Sequence, residues 1–442
     1  MQHTSGAREG QPFDLNALKK QNVPYLSVSQ SLKLEGEATL NGAKNAALVT
    51  IASLILTRGI STLTNVPASD DVFHVITLMQ ELGAKTSFDT ESNILEVDTT
   101  ALEGYRVTPE VMNKFRASIL ILGPLLARFG KAELGLPGGC VLGERPIDYH
   151  LKNFSKMGVE FKEEDGLLTA HTSKLLHRNL LLEYPSVGAT ENLIMAAALT
   201  EGTTRVINAA LEPEVFDLIE VLKKMGAQIS IEVPATIKVE GVASLKPVTH
   251  EIMHDRLEAG ALLLAAAITG GYVHLPQAPA HSMGLFLTKL QEMGHAILIG
   301  KDGVGVKLRA GTRTHPVSIR TAPYPSFPTD LQAPITPLLV LTRGTSKIQE
   351  TVFENRLMHV RELIKMGAQI EVEHGVATIR GVDELFGTHV IASDIRASCA
   401  LVLAGLAAQG TTTVAGISHW RRGYQNLEVK LRALGAQIEL CD

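Results

Sequence analysis

A chain of 442 residues is longer than one hydrophobic core usually supports, so its length predicts at least two domains. With 46 acidic residues against 41 basic ones and a net charge of −5, it lacks the basic excess that general nucleic-acid binding needs. Its longest apolar stretch, near Ala259 to Ile268, is too short for a bilayer, and its three cysteines are too scattered for a disulfide framework or a zinc cluster. A cytoplasmic, reduced protein without metal, cofactor or membrane span is expected.

Taken in chain order, residues 1–27 are polar, lack the apolar block of a secretory signal and read as a flexible extension. Beyond them one unit recurs six times. A helix ending in Met-Gly or Leu-Gly precedes a β-type run at Gly83, Gly158, Gly226, Gly294, Gly367 and Gly435. Upstream of each, an apolar helix closes at Gly59, Gly130, Gly202, Gly270, Gly344 or Gly410 and also leads into a β-type run. Glycine in that place predicts a left-handed helix C-cap. The unit is therefore helix, glycine, strand, connection, helix, glycine, strand and one strand more. At roughly 70 residues it is about twice the length of the familiar solenoid repeats. Six units give an α/β protein of two three-unit domains, divided where Pro247 to Asp255 breaks the pattern. A cleft between two such domains is a natural substrate site.

The charged residues fall where the repeat would otherwise want apolar ones. Lys44 enters the first apolar helix in NGAKNAAL, where a cation opposes the helix dipole and fits either a bound anion or solvent. Arg116 and Arg396 open two apolar helices with the same Arg-Ala-Ser start, and Arg256 heads a third; each fits an anion site or a structural ion pair. The stretch LPGGCVLGERPIDYH, from Leu136 to His150, is a Gly- and Pro-rich loop carrying Cys140 and, five residues on, Arg145. A guanidinium near a thiol stabilises the thiolate, so Cys140 is either reactive or a small buried hydrophobe. Ser186 to Ala189 open a helix with exposed backbone N–H groups. Asp330 sits among Pro323, Pro325, Pro328 and Pro334, held still as a general base must be or as a helix cap would be. Arg356 and Arg422 complete a cationic set that implies a ligand phosphorylated more than once. GEATLNGAKNA has the wrong spacing for a phosphate loop, GKDGVGVKLRAG lacks the helix of a dinucleotide fingerprint, and no histidine spacing suggests a metal.

The runs NGAKNAAL, RASI, LPGGC with GERPIDYH, SVGATEN, EPE, HDRLEAG, PSFPTD, ETVFENRLMHV, DIRAS, RRGY and KLRALGA together resemble the UDP-N-acetylglucosamine 1-carboxyvinyltransferases. This is a family of enolpyruvyl transferases, and the likeness runs over residues 28–442. It implies two inside-out α/β barrel domains of three repeats each, one over residues 44–253 and the other over 28–43 plus 254–442, closing on substrate. It implies transfer of the enolpyruvyl group of phosphoenolpyruvate to the 3-hydroxyl of UDP-N-acetylglucosamine with release of phosphate, the first committed step of peptidoglycan precursor synthesis.

By that resemblance, Lys44 and Asn45 contact the enolpyruvyl phosphate and the sugar, and Arg116 contacts the nucleotide. Cys140 is the general acid and the expected target of the epoxide fosfomycin. Arg145, Pro146, Ile147, Asp148 and Tyr149 hold the uracil and diphosphate, and Tyr184, Pro185, Ser186, Val187 and Gly188 form a second diphosphate turn. Asp330 is the base on the 3-hydroxyl, with Val352 and Arg356 touching the sugar nucleotide. Asp394, Arg396 and Arg422 act once the cleft closes, and Lys44, Arg145 and Arg422 neutralise the phosphate. Arg421 and Tyr184 depart from the pattern, standing where relatives carry an acid and a lysine. Two other readings stand beside this one. A shikimate-type enolpyruvyl transferase shares the sixfold repeat but not the LPGGC loop, and a non-catalytic regulatory paralogue would bind the sugar nucleotide without turning it over.

Overall fold

The apolar helices that head the repeats are buried on nearly every side, which explains why they carry no polar stripe. In the computed structural model, which describes residues 23–138 and 147–441, they run over Lys44–Ser53, Leu122–Phe129, Val187–Ala197, Arg256–Ile268, Thr329–Val340 and Ile395–Ala407. In Arg256–Ile268 every residue but the last is buried, so the run LEAGALLLAAA meets protein on all faces. The second of these helices is preceded by a 3-10 helix over Arg116–Ile121, so Arg116 stands about two turns ahead of the α-helix proper.

Around these helices lie six four-stranded sheets of one design. In the third, Asn179–Leu181 runs parallel to Thr203–Ile207, which pairs antiparallel with Thr236–Glu240, itself paired with Gln228–Glu232. Burial alternates along Thr203–Ile207, with Thr204 and Val206 facing inward, so each sheet covers the helices with one face and meets solvent with the other. An outer amphipathic helix, Pro213–Met225 in this unit, links the second strand to the third. All twelve repeat glycines have positive φ. Gly226, at φ 109°, is the left-handed cap of that outer helix, a conformation costly for any residue with a Cβ.

Three sheets are completed from far along the chain. Thr249–Glu251 pairs with Ile60–Thr64, with Thr249 opposite Thr62, and so joins the third unit back to the first. Glu35–Glu37 pairs with Tyr272–Leu275, and Tyr25–Ser29 lies between Thr411–Ala415 and Gln437–Cys441. The apolar interior accordingly forms two separate cores. One spans Ala43 to Ile252, and the other joins Leu26–Leu40 to Leu257–Ile438. The extension expected over residues 1–27 is cut short by this arrangement. Tyr25 already belongs to a central strand, because Y-L-S-V-S alternates and buries Leu26 and Val28 completely.

Candidate active-site cleft

Between the two cores lies a cleft of about 1110 Å³ whose wall draws on both. The first core contributes Lys44, Asn45, Asp71, Arg116, Tyr149 and the turn Tyr184, Pro185, Ser186, Val187 and Gly188. The second contributes Asp330, Val352, Arg356, Asp394, Arg396 and Arg422. Residues more than 300 positions apart in the sequence are thus brought onto one surface.

Lys44 is the first residue of its helix, and no side chain caps that helix end. Its Nζ donates to Asp71 Oδ2 at 3.0 Å, while Arg422 Nε donates to Asp71 Oδ1 at 2.8 Å. Burial alone would raise the Asp71 carboxyl, but Lys44 and Arg422 outweigh it and hold the group below its ordinary value. The anion expected opposite Lys44 is therefore, in the free protein, a side chain of the protein itself. Sequence reasoning missed Asp71 because an acid in a helix's first turn is explained well enough by the dipole.

Asp330 is the second residue of the helix Thr329–Val340 and so lies inside its first turn, not on the proline-rich loop before it. Its side chain caps nothing. Arg356 Nη2 donates to Oδ1 at 2.6 Å and Arg396 Nη2 to Oδ2 at 2.8 Å, so two guanidinium groups clamp one carboxylate. Burial opposes ionisation here too, yet Arg396 and then Arg356 hold the Asp330 carboxyl far below the usual carboxylate range. Arg396 and Asp394 sit at one helix start with separate tasks. Asp394 Oδ1 accepts the N–H groups of Arg396 and Ala397 at 2.8 and 3.1 Å, which makes it an N-cap facing the cleft. Asp255 caps Arg256–Ile268 in the same way. Arg256 itself is taken by Glu214, with bonds of 2.9 and 3.0 Å to its two oxygens, so this cation of the sequence set is a structural pair.

Ser186 caps Val187–Ala197, and the first turn of that helix, with Val187 and Gly188, points its backbone toward the cleft as an anion-binding end does. Val352 is held by a residue that the sequence did not single out. Glu350 Oε1 accepts from the N–H groups of Val352 and Phe353 at 2.8 and 3.2 Å, and its other oxygen accepts from Thr329 Oγ1 at 2.9 Å. A carboxyl cluster was also missed. Glu191, 4% exposed, and Glu212 lie on the wall beside Glu214. Burial, and after it Glu214 and Glu212, push the Glu191 carboxyl well above its ordinary value. Not every expected contact is on the wall: Ile147 packs against the first core, and Asp148 is exposed at the head of Asp148–Lys156. Cys140, Arg145 and Pro146 lie outside the described residues. Among the described residues no group of His, Cys, Asp and Glu has the arrangement of a metal site, and no helix is long and apolar enough to cross a membrane.

Twin domains of buried helices and outer sheets, facing each other across a cleft rich in arginine and lysine, form a binding surface suited to phosphorylated ligands. A family model described as EPSP synthase (3-phosphoshikimate 1-carboxyvinyltransferase) matches residues 28–431, and the chain belongs to that family of enolpyruvyl transferases. It is 45% identical over 413 residues to the UDP-N-acetylglucosamine 1-carboxyvinyltransferase of Geotalea uraniireducens, covering 93% of this chain and 98% of that one. It is 43% identical over 435 residues to the protein of the same name from Gloeobacter violaceus, covering 98% and 94%. Among solved structures, the enolpyruvyl transferase NikO from Streptomyces tendae matches with a TM-score of 0.86 at 24% identity, over 95% of this chain and 99% of that one. EPSP synthase from Acinetobacter baumannii matches at 0.74 and 16%, over 95% and 100%. Both likenesses concern the fold.

Proposed function

We propose that this enolpyruvyl transferase joins the enolpyruvyl group of phosphoenolpyruvate to the 3-hydroxyl of UDP-N-acetylglucosamine and releases phosphate, the first committed step of peptidoglycan precursor synthesis. The observation that carries the reading is the composition of the cleft wall. Lys44, Arg116, Arg356, Arg396 and Arg422 converge there with the helix start at Ser186, and such a set suits a diphosphate and a second phosphate together. Relatives at 43–45% identity over nearly their whole length bear the name of this activity, which favours a nucleotide sugar over the shikimate-type acceptor.

In the reaction the 3-hydroxyl oxygen attacks C2 of phosphoenolpyruvate while its proton passes to a carboxylate and C3 gains a proton from an acid. Loss of a proton from C3 then expels phosphate and leaves the enol ether. Asp330 is the carboxylate nearest to this description, and Cys140, by resemblance, is the acid. While both arginines hold Asp330 it is a poor proton acceptor, since a base works best with a pKa near the working pH. Substrate anions that draw Arg356 or Arg396 onto themselves restore its basicity, so proton transfer waits for a filled cleft. Lys44 and Arg422 then meet the phosphate, and their preorganised charge stabilises the transition state. Incubating the protein with both substrates and following phosphate release tests the reading. Release with shikimate 3-phosphate and not with UDP-N-acetylglucosamine would overturn it.

A further inference from the structure

Arg422, Gly423, Tyr424 and Gln425 are consecutive, and each makes a different contact. Arg422 reaches Asp71 of the first core at 2.8 Å. Gly423 is pressed onto the start of Ile395–Ala407, where a Cβ would come within 2.3 Å of Ile395 Cγ2. The Tyr424 hydroxyl accepts from Arg396 Nη1 at 3.2 Å, and Nη2 of the same guanidinium holds Asp330 at 2.8 Å. Gln425 crosses to the first core, where its Oε1 accepts from Ala68 N at 2.9 Å and its Nε2 donates to Asn93 Oδ1 at 3.0 Å. The Gln425 carbonyl also accepts from Asn41 Nδ2 at 3.0 Å. Four residues therefore touch the opposite domain at two points and the Asp330 clamp at a third. Slack is scarce, since Tyr424 is 5% exposed and packs on Trp420 with ring centres 5.3 Å apart.

We propose that Tyr424 and Gln425 are positioning residues, a strap through which docking of the first domain sets the geometry of Arg396 on Asp330. The inference rests on the enolpyruvyl-transfer reading for its effect on turnover, though not for its geometry. Hydrogen bonds weaken steeply with misalignment, so a displacement of Tyr424 passes directly to the guanidinium, and through it to Asp330. Interdomain glue alone would behave differently. It would alter affinity and stability together and leave the chemical step as it was.

The test uses the full-length protein with phosphoenolpyruvate and UDP-N-acetylglucosamine. Tyr424→Phe keeps the buried ring and removes the acceptor, and kcat should fall about tenfold with either KM changed by less than about twofold. Gln425→Ala and Asn93→Gly, the latter compatible with the positive φ at Asn93, should each lower kcat several-fold. The double variant should be no worse than the worse single one, because both break the same bond. Gln425→Glu still accepts from Ala68 N and from a turned Asn93 amide, and should recover most of the rate. Trp420 is the one tryptophan of the chain and lies against the strap, so its emission without any ligand should shift in Gln425→Ala and Asn93→Gly alike. Unchanged kcat in these variants, losses confined to KM or melting temperature, or an unmoved Trp420 emission would each overturn the strap. Absence of turnover in the wild type would overturn the functional reading instead, and the ligand-free emission would still decide the strap.

Discussion

Asp71 of the first domain accepts from Arg422 of the second at 2.8 Å, and its other oxygen is taken by Lys44. One buried carboxylate thus holds two of the cations proposed to meet the phosphate. Asp71→Ala leaves the buried ammonium of Lys44 unpaired, a change that costs about 3 kcal/mol. The melting temperature of the variant should fall, and phosphoenolpyruvate or inorganic phosphate should restore more of it than in the wild type. Equal ligand effects on both proteins would mean that phosphate does not replace Asp71 on Lys44.

Asp330→Asn should bind UDP-N-acetylglucosamine almost as the wild type does and lose roughly 10²-fold or more in turnover. The isosteric amide still fills the space between Arg356 and Arg396 but takes no proton. Isothermal titration together with phosphate release separates the two effects. Turnover within a few-fold of wild type would place the base elsewhere.

Lys44→Ala should weaken phosphoenolpyruvate far more than the sugar nucleotide, because a charge-assisted contact to phosphate is lost. Titrating each ligand separately decides it. Equal weakening of both would give Lys44 a purely structural part.

Much of this molecule was readable in advance, and for one physical reason: left-handed backbone excludes most side chains. Gly226 and its eleven counterparts therefore mark the ends of helices in the sequence as plainly as in space. The buried helices were equally legible, because a run such as LEAGALLLAAA has no face to give to water. What stayed hidden were partners rather than positions. Arg396 reads as an anion site or a structural ion pair and Arg356 as one of a cationic set, and nothing local says that Asp330 occupies both. Asp71 and Gln425 act across more than 300 residues of chain, a distance at which no spacing rule operates. Tyr25 reads as part of an extension because the strand it begins is completed only by segments about 400 residues further along the chain.

The carboxyl cluster gives a pH signature. Asp71 and Asp330 lie below ordinary carboxylates, so their stabilisation is present above pH of about 4 and is lost as pH falls through their folded values. Glu191 runs the other way. Its raised folded value means that stability declines as pH rises from about 4.3 toward that value. Glu191→Gln removes this decline, and its melting temperature should exceed that of the wild type at pH 8 and approach it at pH 4. A difference that does not depend on pH would show that Glu191 carries no buried charge penalty.

Fosfomycin should alkylate Cys140 alone, and faster when UDP-N-acetylglucosamine is present. Cys399 is 1% exposed, and burial pushes its thiol up to about 11, so little thiolate is available there. Cys140→Asp should keep measurable turnover and resist the epoxide. Intact-mass analysis with peptide mapping reads both. An adduct on Cys399 or Cys441, or a rate indifferent to the sugar nucleotide, would remove Cys140 from the chemistry.

The interleaving of Tyr25–Ser29 between Thr411–Ala415 and Gln437–Cys441 bears on how the protein is made. This strand is synthesised before the whole of the first core, and both its partners after it. The first domain has every strand it needs once Glu251 has emerged, whereas the second must wait for Gln437–Cys441. Until then Leu26 and Val28 have no sheet to enter, and the unfilled sheet edges of the second domain are open to any other extended segment nearby. Nascent chains stalled late in synthesis are therefore the form most exposed to mispairing, and a chaperone that shields the emerged N-terminal strand would act on that interval rather than on the finished enzyme.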